Sequence, residues 1–217
     1  MATQVTLGSG VVDSASGLKL RTNGSTEAVD ISTGQVVTLA KDAVVNGLTV
    51  GKGAGSVSTN TAVGASALAS NTTAANSTAV GYQAGNSNVT GDDLNAFGYQ
   101  SFATSTGGAN SGFGSRSGRL TTTGTRNSAF GYYSFYSNTT GSYNTALGDS
   151  ALYSNTTASN NTAVGYQSLY TNTTGSSLTA VGLQALYSNT TGYDNVAMGY
   201  STLYTNSTGI VNVAVGD

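Results

Sequence analysis

Large apolar residues recur along this chain at one phase of a long period, and small or polar residues fill the positions between. Ten glycines mark that period: Gly64, Gly81, Gly98, Gly114, Gly131, Gly148, Gly165, Gly182, Gly199 and Gly216, spaced by 17 residues except for one step of 16. With each glycine as position 0, position −1 is always large and apolar: Val63, Val80, Phe97, Phe113, Phe130, Leu147, Val164, Val181, Met198 and Val215. Position −2 is alanine in nine copies, with Gly112 the exception, and position −4 is asparagine in seven (Asn60, Asn110, Asn127, Asn144, Asn161, Asn195, Asn212). A second apolar column stands at +4: Leu68, Phe102, Phe135, Leu152, Leu169, Leu186 and Leu203, with Gly85 and Gly118 in its gaps. A fixed period of this length marks a repeat array in which each unit buries its apolar residues only by stacking on its neighbours.

Within a unit the pattern predicts two short strands joined by turns. In Asn161-Thr162-Ala163-Val164-Gly165, alternation places Thr162 and Val164 on one face and Asn161, Ala163 and Gly165 on the other. A second strand is expected around Leu169, with Tyr170 facing away from it, and Asn172-Thr173-Thr174-Gly175 has the composition of a turn. The predicted class is all-β: a repetitive β-solenoid (β-roll) of ~17-residue coils. The −1 residues are expected to form the structural core ladder, and stacked Asn side chains to chain their amides from coil to coil. Both strand faces carry apolar or very small side chains, so one face of a lone coil would stay wet. A homotrimer, intertwined or side by side, is expected to cover it. Residues 46–217 form the array, with Asn46-Gly47-Leu48-Thr49-Val50-Gly51 as a degenerate first copy. Residues 1–45 carry short apolar runs such as Gln35-Val36-Val37-Thr38-Leu39 and no tyrosine. They predict a small N-terminal β domain, a cap or an attachment module.

The Asn-x-Ala-apolar-Gly motif, once per coil, resembles the head repeats of trimeric autotransporter adhesins. The longer unit with Asn-Thr-Thr-Gly turns is similar to repeats of bacteriophage tail and virion fibres. The resemblance covers residues 46–217 and implies a left-handed β-roll with three chains about one axis. The longer coil, and the lack of a visible signal, stalk or anchor, favour the phage type. It implies a structural virion fibre, a stiff trimeric spacer involved in attachment to the host surface. Its partners would be its own copies, other virion proteins through residues 1–45, and a host surface glycan or protein. The alternatives are a trimeric adhesin head on a bacterial surface, or a monomeric glycan- or ice-binding solenoid. The ice reading is disfavoured because Thr139 and Thr140 adjoin in a turn rather than alternating on a flat strand.

Composition narrows the chemistry. Only 7% of residues are charged and the net charge is −2, without the basic run that nucleic-acid binding requires. Histidine and cysteine are absent, which removes imidazole and thiolate chemistry. No enzyme, cofactor or metal is expected. Met1-Ala2-Thr3-Gln4 opens no secretory signal, no stretch predicts membrane insertion, and the stop at Asp217 in mid-unit leads us to expect further chain beyond it. The adjacent Asp92 and Asp93 diverge on an extended backbone, and Asp149 and Asp194 fall in different columns, so neither pair predicts a catalytic or metal site. Asn71, Asn76, Asn138, Asn155, Asn172, Asn189 and Asn206 head glycosylation triplets but are better read as recurring turns. The candidate surface-binding residues are the tyrosine column at +5 (Tyr136, Tyr153, Tyr170, Tyr187, Tyr204) and the basic group Arg116, Arg119 and Arg126. The second tyrosine series, at +1, comprises Tyr82, Tyr99, Tyr132, Tyr166 and Tyr200. The arginines fall where the repeat is poorest and are expected to pair with Asp92 and Asp93 one or two coils below.

Overall fold

The computed structural model describes residues 43–45 and 48–216. The chain divides into two units, 1–39 and 40–217, and the described residues belong to the second. The N-terminal domain expected at 1–45, apart from its last three residues, lies outside them. The unit is one twelve-stranded sheet in sequential order, with no helix among the described residues: β1 Ala43–Val45, β2 Leu48–Gly51, β3 Thr61–Val63, β4 Thr78–Val80, β5 Asn95–Phe97, β6 Ser111–Phe113, β7 Ser128–Phe130, β8 Thr145–Leu147, β9 Thr162–Val164, β10 Thr179–Val181, β11 Val196–Met198 and β12 Val213–Val215. From β3 onward every neighbour is parallel and in register, so Thr162 meets Thr179, Ala163 meets Ala180 and Val164 meets Val181. Each coil is therefore one layer of a β-solenoid, and identical residues stack up its length.

β2 departs from the expected first coil. It runs antiparallel to β3, with Val50 opposite Val63 and Gly51 opposite Ala62, and antiparallel to β1 on its other side. Thr49 to Gly51 imitate a coil in composition, but the reversed chain makes them a two-stranded end piece. β1 lies within the span assigned to the N-terminal domain and is hydrogen-bonded into the array's sheet.

Each complete coil holds one three-residue strand, not two. The segment expected as the second strand is a run of turns: Ser168 N–H donates to Gly165 O at 3.3 Å, and Asn172 N–H to Leu169 O at 3.2 Å. Leu169 reaches the interior through a left-handed backbone (φ 52°) rather than through strand alternation. Gln167 (φ 53°) and Ser177 (φ 58°) adopt the same region, and the equivalents in other coils follow. Such conformations cost a non-glycine residue roughly 1–2 kcal/mol each. They persist because turn amides bond along the stack as well as within the turn: Leu169 N–H donates to Ala185 O and Thr171 N–H to Tyr187 O in the next coil, and Gln167 N–H to Asp149 O in the one before. The position-0 glycine has a stricter reason. A Cβ on Gly165 would lie 2.4 Å from Gly182 O, and its φ of 128° suits only glycine.

The interior corrects the expected core ladder. Alternation within the strand holds, but the inward face is the small one: Ala62, Ala79, Ala96, Ala129, Ala146, Ala163, Ala180 and Ala197 are buried, and across from them lie Leu68, Phe102, Phe135, Leu152, Leu169 and Leu186. The −1 column faces outward. Val63, Val80, Phe97, Phe130 and Val164 are half-buried, and Phe113, Leu147, Val181, Met198 and Val215 are exposed, at 41%, 48%, 37%, 42% and 75%. A 17-residue coil is narrow, so a Leu or Phe from the turn side leaves room only for a methyl opposite. Where the inward residue is Phe102, even that methyl is removed. A Cβ on Gly112 would approach its Cδ2 to 2.6 Å, and one on Gly118 its Cζ to 2.5 Å. Leu94 and Leu178, which replace Asn at −4, are buried in the same core, and Leu94 Cδ2 would lie 2.8 Å from a Cβ on Gly85. The glycines that interrupt the +4 column are thus complements of a large neighbour.

Candidate binding surfaces

Two asparagine ladders line the interior, so the asparagines of these columns are withdrawn from any ligand. At −4, Asn127 Nδ2 donates to Asn110 Oδ1 and Asn144 Nδ2 to Asn127 Oδ1, each at 3.1 Å. The same Nδ2 groups cross the coil to Gly141 O and Ala158 O, both at 2.9 Å. At +7, Asn155, Asn172 and Asn189 each donate to the asparagine one coil below, at 3.0, 3.2 and 2.9 Å. They also close their own turns, as Asn155 does on Ala158 O at 3.1 Å. Asn138, Asn155, Asn172 and Asn189 are fully buried. Of the glycosylation triplets these four therefore belong to the interior amide ladder, which is sterically closed to a glycan.

The tyrosines at +5 form the longest aromatic column. Tyr136, Tyr153, Tyr170, Tyr187 and Tyr204 stack with ring centroids 5.0–5.2 Å apart and planes within 12°. Ring faces are consumed by neighbours, so the column offers solvent its edges and hydroxyls rather than flat platforms. Burial and neighbouring phenols raise the pKa of Tyr153 and of Tyr187 above the usual 10.0. On the outer strand face Phe97, Phe113 and Phe130 stack at 4.6 and 4.9 Å. Beside them, at +1, Tyr82, Tyr99, Tyr132, Tyr166 and Tyr200 stand exposed.

The arginines find tyrosines one coil above instead of the carboxylates expected below. Arg116 donates through Nη1 to the Tyr133 hydroxyl, Arg119 to that of Tyr136 at 3.0 Å, and Arg126 to that of Tyr143 at 3.1 Å. Each pair is 17 residues apart, a signal present in the sequence that a search for opposite charges passes over. The guanidinium of Arg116 also lies between two rings, 5.4 Å from Tyr99 and 5.3 Å from Tyr133. Tyr133 packs edge-on against Tyr132 at 4.3 Å and tilted against Tyr136 at 5.0 Å, which joins the columns into one cluster. The adjacent hydroxyl of Tyr132, with Arg116 adding to it, lowers the pKa of Tyr133, and that of Tyr132 rises in exchange.

The aspartates serve turns. Asp92 Oδ1 accepts from Ala75 N–H at 2.7 Å, Asp93 Oδ1 from Asn76 Nδ2 at 3.2 Å, and Asp149 Oδ1 from the Ser150 hydroxyl at 2.5 Å. Asp92, Asp93 and Arg126 line an open depression of about 410 Å³ beside Gly107 and Gly108, in the coil that is one residue short. Among the described residues, no three or more His, Cys, Asp or Glu side chains gather to hold a metal ion, and no helix is long and apolar enough to cross a membrane. No family model matches the chain, and neither a curated protein nor a solved structure does.

Proposed function

We propose that the chain is a structural fibre protein of a bacteriophage virion, in which three copies bury one another's outer strand faces to make a stiff spacer involved in host attachment. One observation carries the self-association: the outer face bears an unbroken apolar column from Val50 and Val63 through Phe97, Phe113 and Leu147 to Val215. At ~4.8 Å per coil it runs ~43 Å, and at ~10 Å wide it presents on the order of 400 Å². The column is edged by Thr78, Thr145, Thr162 and Thr179 at −3. An apolar strip of that size with a polar border is the form of a protein–protein contact. A closed assembly covers such strips on every copy without leaving one free to recruit further chains. The likeness of the repeat to trimeric adhesin heads and phage fibres supports three as the number and the virion as the setting. The mechanism is mechanical: in-register ladders resist bending, and nothing in it calls for a reaction.

Sedimentation equilibrium of the purified chain tests the association. We expect about three times the 21.6 kDa chain mass, unchanged on tenfold dilution. A single-chain mass at all concentrations would overturn the trimer and return the strip to solvent. The virion setting is tested separately, by mass spectrometry of purified particles for peptides of the array.

A further inference from the structure

We infer that Arg116 and Arg119, with Gln100 and Tyr132, form a binding site for an acidic saccharide, a sugar bearing a carboxylate beside free hydroxyls. The two arginines lie three residues apart in one turn, half-buried, and their tyrosine partners Tyr133 and Tyr136 touch each other. Capping the rings occupies one nitrogen of each guanidinium, Nη1. The Nε of both is buried without a hydrogen-bond partner, whereas Arg126, which caps Tyr143 in the same way, is an exposed residue. Solvent can serve the remaining donors of Arg126, whereas ring capping leaves buried donors unspent at Arg116 and Arg119. Two guanidiniums from one turn, held over adjacent rings and with no carboxylate among the described residues bonded to either, match the planar oxygens of a carboxylate.

A simple anion does not satisfy everything present. Gln100 stands directly below Arg116 in the same column; its Nε2 donates to Gln83 at 2.8 Å, and its Oε1 is buried and unpaired. An anion would meet that acceptor with repulsion, while a sugar hydroxyl donates to it. Tyr132 supplies the remaining element. It is 52% exposed, and its edge-on contact with Tyr133, at 87° between planes, leaves it outside the face-to-face stacks, so its ring is available to the C–H face of a pyranose. Forks for the carboxylate, an acceptor for a hydroxyl and an aromatic platform for the ring describe one ligand class. Because a single chain supplies every group, the site does not depend on how many copies associate, and its failure would be separate from failure of the trimer.

The test is calorimetric titration of the full chain with a hexuronate trisaccharide and with its neutral methyl ester. We expect the acid to bind and the ester not to, with at least a tenfold loss in the R116Q/R119Q variant and less than twofold in R126Q. R116K/R119K, which retains charge without the fork, should fall between. Since the double variant could unfold, its thermal transition and mass are measured alongside. Arginine modification of the unaltered protein by a dicarbonyl reagent, read by mass spectrometry, gives a second readout in which the trisaccharide should shield Arg116 and Arg119 but not Arg126. Equal binding of hexaglutamate would make this an acidic-polypeptide surface and overturn the saccharide assignment. Absence of binding, or binding that R116Q/R119Q leaves intact, would overturn the site itself.

Discussion

A methyl group added at Gly118 would reach within 2.5 Å of the Phe102 ring, in a core with nowhere to move it. G118A should therefore lose ~1–3 kcal/mol by overpacking, besides the cost of holding alanine in the left-handed region (φ 58°), read together as a lower thermal midpoint. F102L introduced with it should restore the part of the loss that is due to volume and leave the backbone part. A G118A protein as stable as the parent would show that the core is looser than its contacts indicate. The asparagines allow a finer comparison. Asn155 donates to Asn138 Oδ1 and accepts from Asn172 Nδ2, so truncation to alanine orphans buried groups on both sides. That should cost roughly 1–3 kcal/mol. At −4 the chain itself carries Leu94 and Leu178 among buried neighbours, so N144L should be milder than N155L in the same melting experiment.

One coil is a three-residue strand and fourteen residues of turn, and its two halves were unequally legible. Period, register and the −4 amide ladder could be read directly, because stacking copies a column from one coil to the next. Which apolar column faced inward could not. Alternation separates Ala163 from Val164 without saying which is inside, and the larger residue is the natural choice until Leu169 and Phe102 are seen to fill the interior from the other wall. The sequence predicts a second strand because Leu169 and Tyr170 diverge in a left-handed turn as they would in an extended chain. Charge alone pairs the arginines with aspartates, whereas Arg116, Arg119 and Arg126 follow the column rule and cap the ring 17 residues on. The tyrosine column carries its own test. Raised pKa values at Tyr153 and Tyr187 mean that the folded coil holds those protons more tightly than the unfolded chain. Their contribution to stability is complete below about pH 10 and is lost as the pH climbs through the raised values. Phenolate absorbance should show Tyr133, whose value is lowered, ionising ahead of them, and the melting temperature should fall only above pH ~10. Simultaneous ionisation of all the tyrosines would contradict the stacked column.

Across the whole rod the outward strip and the inward core are separable, since Val164 and Ala163 are neighbours that face opposite ways. V164K should leave the β circular dichroism intact while it reduces the sedimenting mass to that of one chain; a trimer that persists would exclude the strip as the contact. Regularity also has a cost that the irregular coils offset. Coils with the same residues in every column are interchangeable, so a chain that skipped one and looped it out would regain nearly all its ladders. Phe102 is different: its ring is matched by glycine at both Gly112 and Gly118, and the guanidiniums of Arg116 and Arg119 donate to tyrosine hydroxyls of the coil that follows. These residues act as page numbers in a book of otherwise identical leaves, and a stack assembled out of order would fail first there.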